Sequence, residues 1–447
     1  MAGQPPSGDF KRHRLEAYAT LERPMLFLIR SLTKNPDTYT TAGVSIRISG
    51  GLAHLEGFER TGEFSEPCRL NQRTHSDYRG PGVSVKSMSL STYPFFHCCG
   101  SPRELGRQHG EQARTQVQGF LEYLQRSLNF TPAVLREQAA RFEPLFRGAC
   151  EHLLDEIGGL AEGANIQRYD ALALQLRGEL AAASHWLPDE ACTAFAIARA
   201  RTADGCLWIG QNSDNPPELM DFAYVLRLVP TSGPRILMWT FGGMIGYHGL
   251  NDCGVAQFAN ALGGGPAWKF ALAHYPLKRR ILEQRDLSGV RHLLRTLAVC
   301  SNGNYVLCDR AEVTDIELTT DGPFEIVSDN PNRVIHSNHF LNLPHALADN
   351  DAQSLPDSKA RLYRLQELVD STNRPLCLDD LKHFLRDHAG HPSGVCRHAH
   401  EGPDHPLLSS RGQTIASLIA DPDHGLLHIA RGTPCSAPYV TYRLHDA

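Results

Sequence analysis

The sequence has no run of apolar residues long enough to cross a bilayer. Its first hydrophobic cluster, Met25 to Ile29, is five residues long, against the roughly 20 that a spanning helix needs. The start, Met1-Ala2-Gly3-Gln4-Pro5-Pro6, carries no signal-peptide core, and Leu444-His445-Asp446-Ala447 is not a peroxisomal address. A cytoplasmic protein with no membrane role is expected. No charge sign dominates: 44 Lys and Arg stand against 49 Asp and Glu, and neither sign is clustered. That excludes nucleic acid and anionic membranes as main partners and leaves small molecules. The 12 cysteines include no CxxC pair, and the 22 histidines include no HExxH or comparable spacing. A disulfide scaffold and a zinc ribbon are thereby excluded, so reduced thiols, no metal and no bound cofactor are expected.

What is present is a chain of 447 residues with 41% hydrophobic content, enough for one large or two ordinary domains. Residues 1–90 read as an N-terminal extension of uncertain order, with one strand near Val44 to Ile48 and a polar stretch from Cys68 to Val85. The first strong strand is Tyr93 to Cys99. Ser101-Pro102-Arg103-Glu104 then sets an N-cap serine before a proline at the first helical position. Apolar residues at helical spacing predict a helical block through residues 132–146, 147–163 and 167–184, so residues 91–191 form the first strand and helical segment. From Cys192 the period changes to two. Strands are predicted at Leu207–Gly210, Tyr224–Leu228, Arg235–Trp239, Val255–Phe258, Tyr305–Cys308, Asp315–Leu318, Val334–Ser337, Thr414–Ile419 and Leu426–Ala430. Helices return at 272–284, 288–299, 357–370 and 378–387. Strand runs interleaved with helix pairs, without strict βαβ alternation, predict an α+β fold with helices packed on antiparallel sheets.

The chain is organised around Asp189-Glu190-Ala191-Cys192-Thr193-Ala194-Phe195-Ala196-Ile197-Ala198-Arg199. Small residues alternate here with Phe195 and Ile197, so this is a buried strand with Cys192 at its entrance, just after Pro188. Trp208-Ile209-Gly210-Gln211-Asn212-Ser213-Asp214 forms a second strand beyond a turn at Asp204-Gly205, and closing that hairpin brings Asp214 near Cys192. The local pattern alone leaves two readings of Cys192: a small buried apolar residue or a nucleophile.

Several motifs occur in a fixed order: Gly100-Ser101-Pro102-Arg103-Glu104-Leu105-Gly106 with His109-Gly110, Arg177-Gly178-Glu179, Cys192-Thr193, and Gly210-Gln211-Asn212-Ser213-Asp214. They continue with Gly243-Met244-Ile245-Gly246, Gly249, Asn251 and Gly254-Val255-Ala256. The last are His336-Ser337-Asn338-His339, Pro356-Asp357-Ser358, Cys396-Arg397 and Ser410-Arg411-Gly412. From about Phe96 onward, over some 350 residues, the chain resembles the acyl-coenzyme A:6-aminopenicillanic acid acyltransferase (isopenicillin N acyltransferase) family, peptidase family C45. This is the cysteine branch of the N-terminal-nucleophile (Ntn) hydrolases.

The resemblance implies a four-layer αββα sandwich preceded by a helical pro-segment, with residues 192–447 as the nucleophile-bearing core. It also implies self-cleavage between Ala191 and Cys192, giving two fragments that remain together as an αβ heterodimer. Family members usually carry glycine before the cysteine, and alanine at 191 narrows the backbone choices of the scissile residue. Cys192 would then supply both thiol and α-amine, the amine acting as general base. Asp214 matches the aspartate beside that amine, Asn338 an oxyanion-hole asparagine and Arg397 an arginine near the site. His336 and His339 read as structural, and Gly242-Gly243 and Gly246 as tight turns and close backbone approach rather than a phosphate loop. The implied activity is acyl transfer through Cys192 from an amide or an acyl-coenzyme A co-substrate to an amine or water. Two further readings stand beside it: hydrolysis only, as a thioesterase or an N-acyl amide hydrolase such as a β-alanyl amide hydrolase, and a catalytically silent binding homologue.

Overall fold

The structure, a computed structural model, describes residues 38–41, 44–49, 52–56, 91–184, 191–328, 330–341, 355–399 and 412–446. The chain divides into two compact units, Met1–Lys86 and Ser87–Ala447. In the first, β1 (Thr38–Thr41), β2 (Val44–Ser49) and β3 (Leu52–Glu56) form an antiparallel meander in the order β1-β2-β3. The strand expected at Val44 to Ile48 is β2. The polar stretch 68–85 lies outside the described residues.

The second unit opens with β4 (Phe95–Gly100) and six helices. These are α1 (Pro102–Gln112), α2 (Arg114–Leu128), α3 (Pro132–Ala140), α4 (Glu143–Ala164), α5 (Arg168–Leu174) and α6 (Arg177–Ser184). The α1 start follows the sequence expectation. Ser101 is the N-cap residue, Pro102 opens the helix, and Glu104 Oε2 accepts from the Ser101 backbone N–H at 2.8 Å. α1 and α4 pack backbone to backbone: a methyl added at Gly106 would lie 1.8 Å from the Glu156 carbonyl oxygen, and one at Gly163 would lie 2.0 Å from that of Arg107. The glycines of the Gly106 and His109-Gly110 motifs therefore set an interhelical approach that any side chain would block. Two helix boundaries differ from the expected ones. The break expected at 146/147 falls before Glu143, because Pro144 is tolerated only in a first turn. The segment expected as one helix over 167–184 splits at Gln175, whose side chain accepts from the Ile245 N–H at 3.0 Å and donates to the Gly243 carbonyl at 3.0 Å.

Then follow β5 (Ala191–Ile197), β6 (Trp208–Asn215), β7 (Ala223–Pro230), β8 (Ile236–Phe241), β9 (His248–Asn251) and β10 (Ala256–Ala261). Helices α7 (His274–Leu282) and α8 (Leu287–Thr296) lead to β11 (Gly303–Cys308), β12 (Val313–Thr319), β13 (Gly322–Glu325) and β14 (Arg333–His336). The chain ends with α9 (Leu355–Ser371), α10 (Leu378–Phe384), β15 (Gln413–Asp421), β16 (Leu426–Arg431) and β17 (Tyr439–Arg443).

Two sheets result. The eight-stranded one runs β13-β12-β11-β10-β9-β8-β7-β4 and is antiparallel except for the parallel β4–β7 edge; the six-stranded one, β14-β5-β6-β15-β16-β17, is antiparallel throughout. β10 and β11 pack against β5 and β6 across the gap between the sheets, α2 and α7 cover the eight-stranded sheet, and α9 covers β5 and β14. The layers are therefore αββα, an α+β sandwich of the kind expected. β5, β6 and β10 are buried along almost their whole length, which explains their small and amide side chains. Gln211 donates to the Ala259 carbonyl at 2.8 Å and to Asn260 Oδ1 at 2.7 Å, tying one sheet to the other. Gly242 and Gly243 sit at φ 59° and 83°, a left-handed turn closed by a 2.9 Å bond from the Gly243 N–H to Tyr224 Oη. Among the described residues, no helix is long and apolar enough to cross a membrane.

Candidate active site

The β5–β6 hairpin pairs Ala191 with Asp214 and Cys192 with Ser213, so a two-stranded register places the carboxylate opposite the Ala191–Cys192 bond. Both partners are buried, Cys192 at 6% exposure and Asp214 at 0%. Ala191 is absent from the positive-φ residues, so alanine fits its strand backbone without strain. Asp214 Oδ1 accepts the Thr414 hydroxyl at 2.6 Å from neighbouring β15, while Oδ2 has no hydrogen-bond partner among the described residues. Burial pushes the Asp214 carboxyl up to about 6, against the pull of Arg361 and Arg397 and the Thr414 bond.

From the bend just after β14, Asn338 reaches the same bond. Its Oδ1 accepts from the Cys192 backbone N–H at 2.9 Å and from Arg361 Nη2 at 2.9 Å. Two donors on one atom fix it as the amide oxygen. The amide NH₂ gives one hydrogen to the Ala261 carbonyl at 3.0 Å, which leaves its second hydrogen available.

His336 and His339 support this strand end. Burial would lower the His336 pKa, but Asp315 and Glu317 outweigh it and raise it, with Glu317 Oε1 at 3.1 Å from Nε2. Burial lowers His339 to about 4, and its Nδ1 lies 2.7 Å from Ser358 Oγ, which also accepts the Asn338 N–H at 2.8 Å. Both histidines thus hold the segment that carries Asn338.

Arg361 was not foreseen. On α9, fully buried, it donates from Nη1 to the Cys192 carbonyl and to Thr193 Oγ1, the latter at 2.8 Å, and pairs with Asp357 Oδ2 at 3.1 Å. The sequence does carry a signal for it: Pro356-Asp357-Ser358 is one of the ordered motifs, and Arg361 stands four residues beyond Asp357 on the same helix face. Arg397, the expected arginine, lies one layer further out, with its Nη1 3.9 Å from the same Asp357 oxygen. Burial alone would raise the Asp357 carboxyl, but the two arginines outweigh it and hold it below the ordinary carboxylate range. The Arg397 backbone N–H donates to Thr414 Oγ1 at 3.0 Å, the hydroxyl that bonds Asp214. All four expected residues are therefore brought into one network, with Arg361 and Asp357 as its hub. Asp189 and Glu190, just before Ala191, lie outside the described residues.

Two groups of metal-capable side chains occur among the described residues, His388 with Cys396, His398 and Cys435, and Cys206 with Asp421 and His424. Neither includes Cys192, Asp214 or Asn338.

The family model described as acyl-coenzyme A:6-aminopenicillanic acid acyl-transferase matches residues 201–435, more than half of the chain. The match covers Asp214, Asn338, Arg361 and Arg397 and begins just beyond Cys192. A curated relative, the acyl-coenzyme A:6-aminopenicillanic-acid-acyltransferase 40 kDa form of Emericella nidulans, is 25% identical over 332 residues, 72% of this chain and 88% of its own length. Among solved structures, the C2A mutant of conjugated bile acid hydrolase from Clostridium perfringens covers 57% of this chain and 97% of its own, at 11% identity and a TM-score of 0.40. Penicillin V acylase from Agrobacterium tumefaciens covers 54% and 83%, at 14% identity and a TM-score of 0.34.

Proposed function

The chain belongs to the acyl-coenzyme A:6-aminopenicillanic acid acyl-transferase family, and within it we propose a self-processing enzyme whose Cys192 forms an acyl-enzyme and passes the acyl group to an amine or to water. The observation that carries this reading is the convergence on Cys192 and its two flanking peptides: Asp214 across the ladder from Ala191, Asn338 on the Cys192 N–H, and Arg361 on the Cys192 carbonyl.

In the first stage the Cys192 thiol attacks the Ala191 carbonyl, the Ala191–Cys192 C–N bond breaks, and the peptide nitrogen leaves as the Cys192 amine. Water then hydrolyses the Ala191 thioester, releasing a carboxylate on fragment 1–191 and restoring the thiol. The new α-amine, with a reference pKa near 8, is the general base for the second stage. It takes the thiol proton as sulfur attacks an amide or thioester carbonyl, and the leaving amine or coenzyme A thiol departs with that proton. An amine or water attacks the resulting thioester and frees Cys192.

Each side chain has a role in this scheme. Asn338 Oδ1, already on the Cys192 nitrogen, holds the amine, while its second N–H hydrogen is free to donate to the oxyanion. Asp214 Oδ2, which has no partner among the described residues, gives the protonated amine a counter-charge. A reducing, cytoplasmic setting suits a free nucleophilic thiol, and every described cysteine is free. The small-molecule acyl donor of this chain is taken to be a thioester or N-acyl amide, by family likeness.

Intact mass spectrometry of purified protein tests the first stage. Fragments 1–191 and 192–447, whose masses sum to the precursor plus one water, are expected, and Cys192→Ala should remain one chain. A wild type that stays whole after long incubation sinks the mechanism. Incubating the mature protein with acyl-coenzyme A thioesters and N-acyl amides then reads the mass added to the Cys192 fragment. An adduct that water alone discharges, with no amine product, identifies a pure hydrolase, and clean cleavage without any adduct identifies a binding homologue.

A further inference from the structure

Behind Arg397 the fold gathers two cysteines and two histidines that no sequence spacing announces. His388, Cys396 and His398 come from the segment after α10, and Cys435 from the turn after β16. One ligand atom from each lies within 4.8 Å of all the others. His388 Nε2 is 3.0 Å from His398 Nε2, Cys435 Sγ is 3.3 Å from it, and Cys396 Sγ is 3.7 Å from it.

Hydrogen bonding does not account for this. A ring nitrogen has either one proton or one lone pair, yet three groups converge on His398 Nε2. A tetrahedral zinc ion with Zn–N near 2.0–2.1 Å and Zn–S near 2.3 Å has ligand–ligand edges of roughly 3.3–3.8 Å; the three separations to His398 Nε2 come within a few tenths of an ångström of these, and the remaining ones, all within 4.8 Å, leave the ligands to close in on the ion. The donor set, two sulfurs and two imidazole nitrogens with no carboxylate, is that of a closed structural zinc site rather than an open catalytic one.

We propose that His388, Cys396, His398 and Cys435 form a structural S₂N₂ site for one zinc ion, which clamps the segment carrying Arg397 to the β16–β17 turn. Binding displaces the two thiol protons, so Zn²⁺ and two thiolates make a neutral centre and two protons leave. Cys396 and His398 are the immediate neighbours of Arg397, so the ion fixes both flanks of a residue that contacts Asp357 and Thr414. A second tie already joins the same segments: Arg386 Nε donates to the Pro434 carbonyl at 2.9 Å. The ion touches none of the reacting atoms, so its role is positional.

Metal analysis of the full chain, purified without an affinity tag that binds metal, tests this directly. One zinc per chain is expected after exhaustive dialysis, and cobalt exchanged into the site should show tetrahedral ligand-field bands with thiolate-to-cobalt charge transfer. Cys435→Ser and His388→Ala, both at exposed positions, should each lose that equivalent, whereas Cys253→Ser should keep it. Chelation should lower the melting temperature of the wild type and leave that of Cys435→Ser unchanged. A wild type that binds neither zinc nor cobalt overturns the proposal. So does a Cys435→Ser chain with wild-type zinc content, and so does peptide mapping that finds Cys396 and Cys435 joined as a disulfide in the chain as isolated. These readouts are independent of turnover, so they stand or fall apart from the acyl-transfer reading.

Discussion

The side-chain oxygen of Asn338 lies 2.9 Å from the backbone nitrogen of Cys192, across 146 residues of sequence. On the proposed mechanism the asparagine engages Cys192 through the group that self-cleavage would convert from an amide into an amine, and the same side chain presents a donor at its other end.

These two functions of Asn338 separate by substitution. Asn338→Asp keeps an acceptor for Cys192 and Arg361 but removes the NH₂ donor, and Asn338→Ala removes both. If the donor serves the oxyanion, each variant should lower kcat by about 10² to 10³. The Asp variant should still self-cleave, because the donor is not what positions the Cys192 nitrogen. Full turnover in Asn338→Asp would remove the asparagine from the oxyanion site.

Asp214 gives the uncut chain a pH signature. Its carboxyl is raised from an ordinary 3.8 to about 6 by burial, so the native state holds a proton that the unfolded state releases. Its stabilising contribution is full below about 3.8 and is lost as pH rises through about 6, leaving the precursor about 3 kcal/mol less stable at neutral pH than a neutral side chain would. In the non-cleaving Cys192→Ala background, Asp214→Asn should therefore raise the melting temperature at pH 7, with the gain vanishing near pH 4. A difference between the two melting curves that does not change with pH would show that Asp214 is ionised throughout in the uncut chain.

Arg361 is the hub that the sequence hid, and its fork cannot be replaced by a point charge. Arg361→Lys keeps a cation beside Asp357 but cannot reach Cys192, Thr193 and Asn338 together. Losing one charge-assisted bond, about 1.5–3 kcal/mol, should slow self-cleavage roughly 10- to 100-fold in a chain that still folds. A time course by denaturing gel measures this, and wild-type cleavage rates would reduce Arg361 to a packing role. Arg361→Met leaves Asp357 largely uncompensated and should cost about 3–5 kcal/mol in denaturant unfolding.

The sequence was most legible where chemistry and local pattern coincide. The hairpin carrying Cys192 and Asp214 was readable because small-residue alternation, a turn and a second strand follow one another within 25 residues. Arg361 was not, because an Asp357–Arg361 pair four apart reads as a common helical ion pair, and the carbonyl it serves is 169 residues away. The short strand His248–Asn251 was also missed. All four residues are buried and its two ends are polar, with Asn251 donating to the Leu282 and Gln284 carbonyls, so the alternation that marks a half-exposed strand is absent. The Cys–His cluster escaped for the same reason as Arg361: Cys435 lies 37 residues from His398 and meets it only in the fold.

The last prediction places the start of the catalytic unit. Its compact body begins at Ser87, and the first residue tied firmly into it is Tyr93. That ring packs edge-on against Trp239 at 5.8 Å, its hydroxyl donates to the Ile415 carbonyl at 2.6 Å, and its carbonyl accepts from Tyr442 Oη at 2.8 Å. β4 follows as the parallel edge strand on β7, and Cys98 within it is fully buried. A chain beginning at Met88 keeps all of these contacts, so it should fold and self-cleave, with a stability change within the 0.5–3 kcal/mol of ordinary peripheral substitutions, or about that range. One beginning at Gly100 loses the Tyr93 bonds and β4, leaving Trp239 and the backbone donors of β7 without their cover, and should be insoluble. Expression, gel analysis and thermal melting of the pair decide it. An insoluble or uncleaved Met88 chain would mean that the first 87 residues complete the core, whereas a folded, cleaving Gly100 chain would mean that the Tyr93 and β4 contacts are dispensable.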